Sequence, residues 1–503
     1  MIPLLAFRNI IYRPWRSILL FFGYGVGVAV MIVLLSVGEA LLSQAKDERL
    51  VGGGAITVLP QGLDVEVMKT GGIGGLFFSI DHSRFIYRQL LASPRLSPFV
   101  SAVAPQIEGR LIYLVKSNAE WHAVRASGEI PSANARVHAA MQLAAGKWQD
   151  DEGDRRWIRP TPLELRNEID HFHVPPDSTA NAESWAEWHY FNVLSPDRMR
   201  WAFISFIVAG DVRTDKWGGS ITITLRDESG GGRSRKFVAY VPRQSVQYST
   251  TDANVAIGAS HVTVNEDGSY LVQAVGHESN GSSTVRVKLV VTPSPGAYFP
   301  GASLASGGFV SGYTVPGLRA SATGDICVDA KCERYDGAQS YHDHNWGVWR
   351  GVTWDWGAAR AGSYTLLYGR VIGPYGQGRQ PPLLVYLVDS LGFRAVFRPA
   401  AVSYEDGREI SVNGESVHVP SHAEFADAHG SDTLRVELEI EDAIGTDTRR
   451  QSLGSSEERG DPTGATSVTR PWFIQMKGTT RISGRIGGEP IKGVGTGFFE
   501  TYR

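Results

Sequence analysis

Seventeen residues from Tyr341 to Gly357 read YHDHNWGVWRGVTWDWG and hold four tryptophans and two histidines. Three chemistries use such residues at such spacing. A metal centre would take the histidines together with further ligands. An acid catalyst would take Asp343 or His344, kept protonated by an apolar pocket. A packing seam would use the indoles as bulk and the polar groups as mutually satisfied partners. On a strand, His342, His344 and Trp346 share one face, and Tyr341, Asp343 and Asn345 the other. Two histidines on one face begin a zinc set, but a third ligand and outer partners are needed. His171 and His173 form a second H-x-H pair far upstream, and no local signal ties the pairs together. The sequence therefore assigns no metal and no cofactor. No nucleotide-binding glycine loop and no G-x-S-x-G elbow is present.

The elements that must position these residues are strands. STVRVKLVV sets Val285, Val287 and Leu289 against Arg286 and Lys288, and TLRVELEI sets Leu434, Val436, Leu438 and Ile440 against Arg435, Glu437 and Glu439. Period-two alternation marks half-buried antiparallel strands. Asp267-Gly268, Asp406-Gly407 and Asn413-Gly414 supply hairpin turns. Many short strands with glycine-rich turns predict barrels or sandwiches, and about 340 residues of them predict two units. Cys327 and Cys332 are the two cysteines, and they flank a four-residue loop. Paired strands would bring them within disulfide range; free thiols are the alternative, and C-x4-C alone lacks ligands for zinc. A net charge of −3 offers no basic field for nucleic acid.

The stretch Ser17 to Gly38 has no charged side chain. That length spans a bilayer as a helix and exceeds the apolar core of a cleaved leader. Three arginines precede it, and Lys46 and Arg49 follow. This bias predicts a cytoplasmic N-terminus, a single pass through a bacterial inner membrane and a periplasmic or extracytoplasmic body. The prefix PLLAFRNIIYRPWRS reads as an interfacial helix.

Two resemblances follow from these residues. FRNIIYRPWRS, GVGVAVMIVLLSVGEAL and AITVLP, with HSRFIYRQLLASPRL and VSAVAPQIEGRLIYL, resemble the first segment of ABC-exporter permeases of the macrolide-export and lipoprotein-release type. This implies ABC transporter ATPase or permease subunits as partners, although no second membrane span makes this chain a permease. WAEWHYFNVL, YHDHNWG, WDWGAARAGSYTLLYGRV and GVGTGFFETY resemble the carotenoid 1,2-hydratase/AttH-like family over about 160–503. His189 stands where that family has a second tryptophan.

The second resemblance implies a mainly β fold of two lipocalin-like antiparallel β-barrels; with the apolar N-terminal stretch and the first resemblance, these are expected to be preceded by one transmembrane helix and a small α+β segment. The expected divisions are an interfacial helix (1–16), a transmembrane helix (17–44), a permease-like periplasmic segment (45–145), a linker (146–180), a first barrel (181–348) and a second (349–503). Hydratase chemistry needs an acid that protonates an alkene and aromatic faces that stabilise the cation. Asp343, His344, Tyr368 and Glu500 are the candidate catalytic residues; Trp188, Tyr190, Trp346, Trp349, Trp354, Trp356 and Arg370 are the candidate ligand-binding ones. Arg370 stands where the family resemblance implies a carboxylate, so a cation would sit beside a developing carbocation. The sequence expectation is therefore a tethered module binding a hydrophobic, isoprenoid or lipid-like small molecule for an ABC exporter. The alternatives are a hydratase or cyclase acting on a polyene, and a scaffold without ligand.

Overall fold

The alternating stretches do become strands. The computed structural model describes residues 12, 14–46, 56, 58, 80–115, 121–137, 149–229, 232–279, 281–306, 309–349, 351–373, 383–447 and 471–503. Most of the expected interfacial helix over 1–16, and most of the strand expected over 55–60, lie outside these residues. The chain divides into two units, one of Met1–Ser79 with Val100–Asp154, the other of Ile80–Phe99 with Arg155–Arg503.

In the first unit, helix α1 (Pro14–Lys46) contains Pro14–Ser36, long and apolar enough to cross a membrane and not buried by the chain. It is the one such helix among the described residues. A membrane anchor and a signal sequence share these properties. Strands β1 (Gln106–Val115) and β2 (Trp121–Glu129) form an antiparallel hairpin.

In the second unit, helix α2 (Ile80–Ala92) packs Phe85 edge-on against Tyr298 and Phe393. The permease-like segment expected over 45–145 includes this stretch; its aromatic contacts instead place it with the β-rich unit. A larger difference lies between 146 and 180. Helix α3 (Pro162–Ile169) occupies part of the expected linker and buries Leu165 and Ile169. Eight residues beginning with proline are too short to show a helical period, which is why composition alone suggests a linker.

The first large sheet comprises β3 (Trp185–Leu194), β4 (Arg200–Gly210), β5 (Trp217–Asp227), β6 (Arg233–Pro242), β7 (Val246–Tyr248), β8 (Val255–Ile257) and β9 (Ser260–Val264). It continues with β10 (Tyr270–Glu278), β11 (Thr284–Pro293), β12 (Phe299–Ser306), β13 (Phe309–Val328), β14 (Lys331–Arg334) and β15 (Ala338–Val348). Pairing runs β11-β13-β15-β3-β4-β5-β6-β10, and β10 pairs again with β11, so these eight strands close a barrel. Closure removes the free edges that an open sheet leaves. Its interior is filled by Phe172, Phe191, Phe206, Phe237 and Tyr270 among smaller aliphatics. A hydrophobic ligand inside this barrel would meet those side chains.

The second sheet comprises β16 (Thr353–Ala361), β17 (Tyr364–Ile372), β18 (Leu384–Asp389), β19 (Gly392–Phe397) and β20 (Ser403–Glu405). After the separate hairpin β21 (Arg408–Val412) and β22 (Glu415–Val419) come β23 (His422–His429), β24 (Asp432–Asp447), β25 (Trp472–Ile486) and β26 (Glu489–Tyr502). Its order is β19-β18-β17-β16-β26-β25-β24-β23-β20, with β19 and β20 at the two ends. Val412, Val417 and Val419 of the hairpin join Leu366, Val385, Val436 and Phe499 in its core. A third apolar layer joins the two sheets, with Tyr190, Trp201, Phe203 and Tyr341 meeting Trp356, Leu367, Tyr386 and Phe498. The fold is thus mainly β, built as two antiparallel sheets with aromatic packing between them.

Candidate functional site

Strand β15 separates the signature residues by face. It pairs with β13 on one side and β3 on the other, so its alternation is locked by two ladders. His342 and His344 point into the barrel; Tyr341, Asp343 and Asn345 point toward the second sheet.

On the outer face, Tyr341 Oη donates to Asp343 Oδ2 at 2.7 Å, and Asn345 Nδ2 donates to Oδ1 at 2.7 Å. Trp356 Nε1 donates to Tyr341 Oη at 3.0 Å, tying β16 into the same chain of bonds. Glu500 lies across the seam on β26. It accepts from Trp354 Nε1 at 2.9 Å, from Gln475 Nε2 at 3.0 Å, and from the Tyr190 hydroxyl. Burial pushes Asp343 well above the usual carboxylate range, and the nearby Glu500 charge raises it further, against the bond from Tyr341. Burial also raises Glu500, against its three donors. Asp343 is buried, whereas Glu500, Trp188 and Trp354 are half-buried and present a partly open edge. Trp188, Trp349 and Trp354 pack together, with centroids 4.7 Å apart for Trp188–Trp349 and 5.5 Å for Trp349–Trp354. Two carboxyl groups, several donors and a wall of indoles therefore meet in one seam. Such an arrangement holds one proton on a carboxyl group while a second carboxylate accepts another.

On the inner face, His344 Nδ1 lies 2.9 Å from Asp170 Oδ1, and its Nε2 lies 2.9 Å from Glu187 Oε1. Burial opposes a charge on this ring, but the two carboxylates outweigh it and push His344 up to about 9. His342 Nε2 is 2.9 Å from Asp170 Oδ2, its Nδ1 is 3.0 Å from the Tyr190 carbonyl, and Tyr270 Oη donates to Asp170 Oδ2 at 2.7 Å. His173 Nδ1 reaches Glu187 Oε1 at 2.8 Å, while its ring stacks on Trp346 at 3.9 Å. The two H-x-H pairs are therefore connected through Glu187, although the sequence showed no link between them. Two residue groups have the donor types of a cation site, Asp170–His189–His342 and His173–Glu187–His344.

The other expected residues take different places. Tyr368 is fully buried inside the second sheet, its ring stacked on Phe499. Arg370 Nη2 donates to Asp355 Oδ2 at 2.6 Å. Asp355 stands directly opposite Arg370 in the β16–β17 ladder and also accepts from Tyr404 Oη and Thr501 Oγ1. The cation expected beside the reaction is thus neutralised by a carboxylate within the second sheet. His344 and Trp346 are separated from Asp343 by the strand itself. Trp349 Nε1 donates to the Ala186 carbonyl at 2.8 Å. Cys327 and Cys332 are opposite each other in the β13–β14 hairpin and form a disulfide.

Sequence reasoning did not select Asp170, Glu187, His189, His342, Tyr341, Asp355 or Gln475 as site residues. Tyr341 and His342 stood inside the quoted signature, and Glu187 and His189 inside WAEWHYFNVL. The available signal was the face alternation of these two paired strands.

No model of a known protein family matches the chain, and no curated protein matches it. Several solved structures are similar. A protein assigned as AttH, NE1406 of Nitrosomonas europaea, is 16% identical with a TM-score of 0.42, over 66% of this chain and 98% of that one. Kievitone hydratase of Nectria haematococca is 12% identical with a TM-score of 0.38, over 67% of this chain and 94% of that one. CghA in complex with Sch210972 is 14% identical with a TM-score of 0.38, over 67% of this chain and 97% of that one.

Proposed function

We propose that the chain is an acid–base enzyme acting on an apolar, unsaturated substrate of polyene type at the seam between the sheets. The observation that carries this reading is that Asp343 and Glu500 line one aromatic seam, each held by its own side-chain donors, with the charge of Glu500 felt at Asp343. Asp343 is the acid. Its proton passes to one carbon of a C=C bond, and the cation forms on the neighbouring carbon. Trp188 and Trp354 supply π-faces, each worth up to about 2 kcal/mol to a desolvated cation. Water adds to the cation, and Glu500 takes the proton released from the resulting oxonium. Return of that proton to Asp343 through solvent closes the cycle, so the substrate gains the elements of water. Attack by a second C=C bond in place of water closes a ring and moves the cation to the far carbon of that bond; Glu500 then takes a proton from the adjacent carbon, which leaves a new C=C bond in the cyclised product.

Helix α1 is proposed to be an uncleaved anchor with its N-terminus in the cytoplasm, placing the β-rich unit on the opposite side of the inner membrane. The arginine excess before the helix and the Cys327–Cys332 disulfide support that orientation.

The test is incubation of the full chain in detergent with an acyclic carotenoid in D2O containing oxygen-18 water. The expected product carries one carbon-bound deuterium and one oxygen-18 hydroxyl; a cyclised product carries the deuterium alone. Asp343→Asn and Glu500→Gln each lower turnover about 100-fold or more. Turnover unchanged in Asp343→Asn removes the assigned acid.

A further inference from the structure

The inner face of β15 carries a second centre that the proposed chemistry does not use. Asp170 and Glu187 are both buried in the filled barrel, at 0% and 1% exposure. Two carboxylates in such surroundings need compensating positive charge and hydrogen-bond donors. The histidines around them show how these are arranged. The Tyr190 carbonyl can only accept a hydrogen bond, so it fixes the proton of His342 on Nδ1. His342 Nε2 then faces Asp170 Oδ2, an acceptor opposite an acceptor unless a cation or a second proton lies there. His189 is fully buried, with Nδ1 at 3.4 Å from Asp170 Oδ1. The Ala253 carbonyl lies beside the same ring, and neither ring nitrogen makes a hydrogen bond of good geometry. An imidazole left so in a dry core is destabilising unless a further partner completes it.

We propose that Asp170, His189 and His342 bind one divalent first-row transition cation, for which zinc is the fitting ion, with His344 Nδ1 completing a four-ligand set. The first three offer ligand atoms that lie within 4.8 Å of one another. The 3.4 Å separation of His189 and Asp170 fits one edge of a tetrahedron with bonds of about 2.0–2.2 Å. Nitrogen and carboxylate donors suit zinc. The outer partners are those of metal-bound histidines: the Tyr190 carbonyl behind His342, the Glu187 carboxylate behind His344, the Ala253 carbonyl beside His189. Tyr270 Oη orients the Asp170 carboxylate. The ion would fasten the segment after α3 to β3 and β15, a structural role separate from the seam.

The experiment measures zinc in the full chain, purified in detergent without metal-affinity steps after growth with added zinc and dialysis against metal-free buffer. About one equivalent is expected by elemental analysis, falling below about a tenth in His189→Gln and His342→Gln, while exposed-site His277→Gln retains it. Since those variants could fail to fold, the wild-type chain is also grown with cobalt, where d–d absorption of tetrahedral Co(II) with nitrogen and oxygen ligands is expected. Wild-type protein with less than about a tenth of an equivalent of either metal overturns the proposal and leaves a protonated histidine–carboxylate network. Metal retained in a folded His189→Gln variant overturns it as well. Neither readout depends on turnover, so the seam chemistry and the metal site stand or fall separately.

Discussion

At the residue scale, three consecutive side chains have different surroundings. His342 and His344 meet the carboxylates of the barrel interior, while Asp343, between them, meets Tyr341, Asn345 and the field of Glu500. The strand acts as a partition. Glu500 offers a direct check on how dry the outer seam is. Its carboxyl is raised from 4.5, chiefly by burial, so the folded chain holds its proton more tightly than the unfolded chain does. The contribution to stability is therefore at full strength below the ordinary carboxylate value and is lost as pH rises through the folded-state value. Glu500→Gln should flatten the part of the stability–pH curve that lies above the ordinary carboxylate range, in denaturant titrations. A curve of unchanged slope would mean that the seam is wet. Arg370 shows how far a residue's role depends on its partner: read alone it is a cation in a reaction site, but beside Asp355 it is half of an ion pair.

At the element scale, α3 does more than bridge two regions. Thr161 caps it: its side chain accepts from the Glu164 backbone N–H, and the Glu164 side chain accepts from the Thr161 N–H. The helix ends at Ile169, which delivers Asp170 into the barrel and is followed by Phe172 in the barrel core. Thr161→Ala should cost about 1 kcal/mol, seen as a lower denaturation midpoint at unchanged m-value. A change in m would show that the helix organises more of the unit than its own turn. The strands were the legible elements. Val285, Val287 and Leu289 are buried while Arg286 and Lys288 are exposed, as their alternation requires. The helix was not legible, because two turns starting with proline leave no period to read.

At the scale of the whole molecule, the two sheets are joined by charge as well as by aromatic packing. Arg226 of β5 forms a bidentate pair with Asp442 of β24, with Nε–Oδ2 at 2.7 Å and Nη2–Oδ1 at 2.6 Å. Both side chains are largely covered, at 17% and 11% exposure. Arg226→Ala leaves Asp442 without its counter-charge at the seam and should cost about 2–3 kcal/mol. A double-mutant cycle with Asp442→Ala checks whether that loss belongs to the pair: a coupling near zero would assign the adhesion between the sheets to other contacts, the packing of Trp201, Trp356 and Phe498 among them.

The sequence by itself determined the mainly β class, the faces of β15, and a helix of membrane-spanning length, because alternation and apolar length are local properties written in consecutive residues. Only the tertiary structure decided that β10 also pairs with β6 and β11 with β13 to close the barrel, and that Asp170 meets His342 across 172 positions of sequence. It also decided that Glu500 joins the Asp343 seam and that Asp355 neutralises Arg370. Those meetings depend on which strands pair and in what register. Closure and inter-sheet packing set that register, and a period of two residues repeats identically along every strand that could have been the partner.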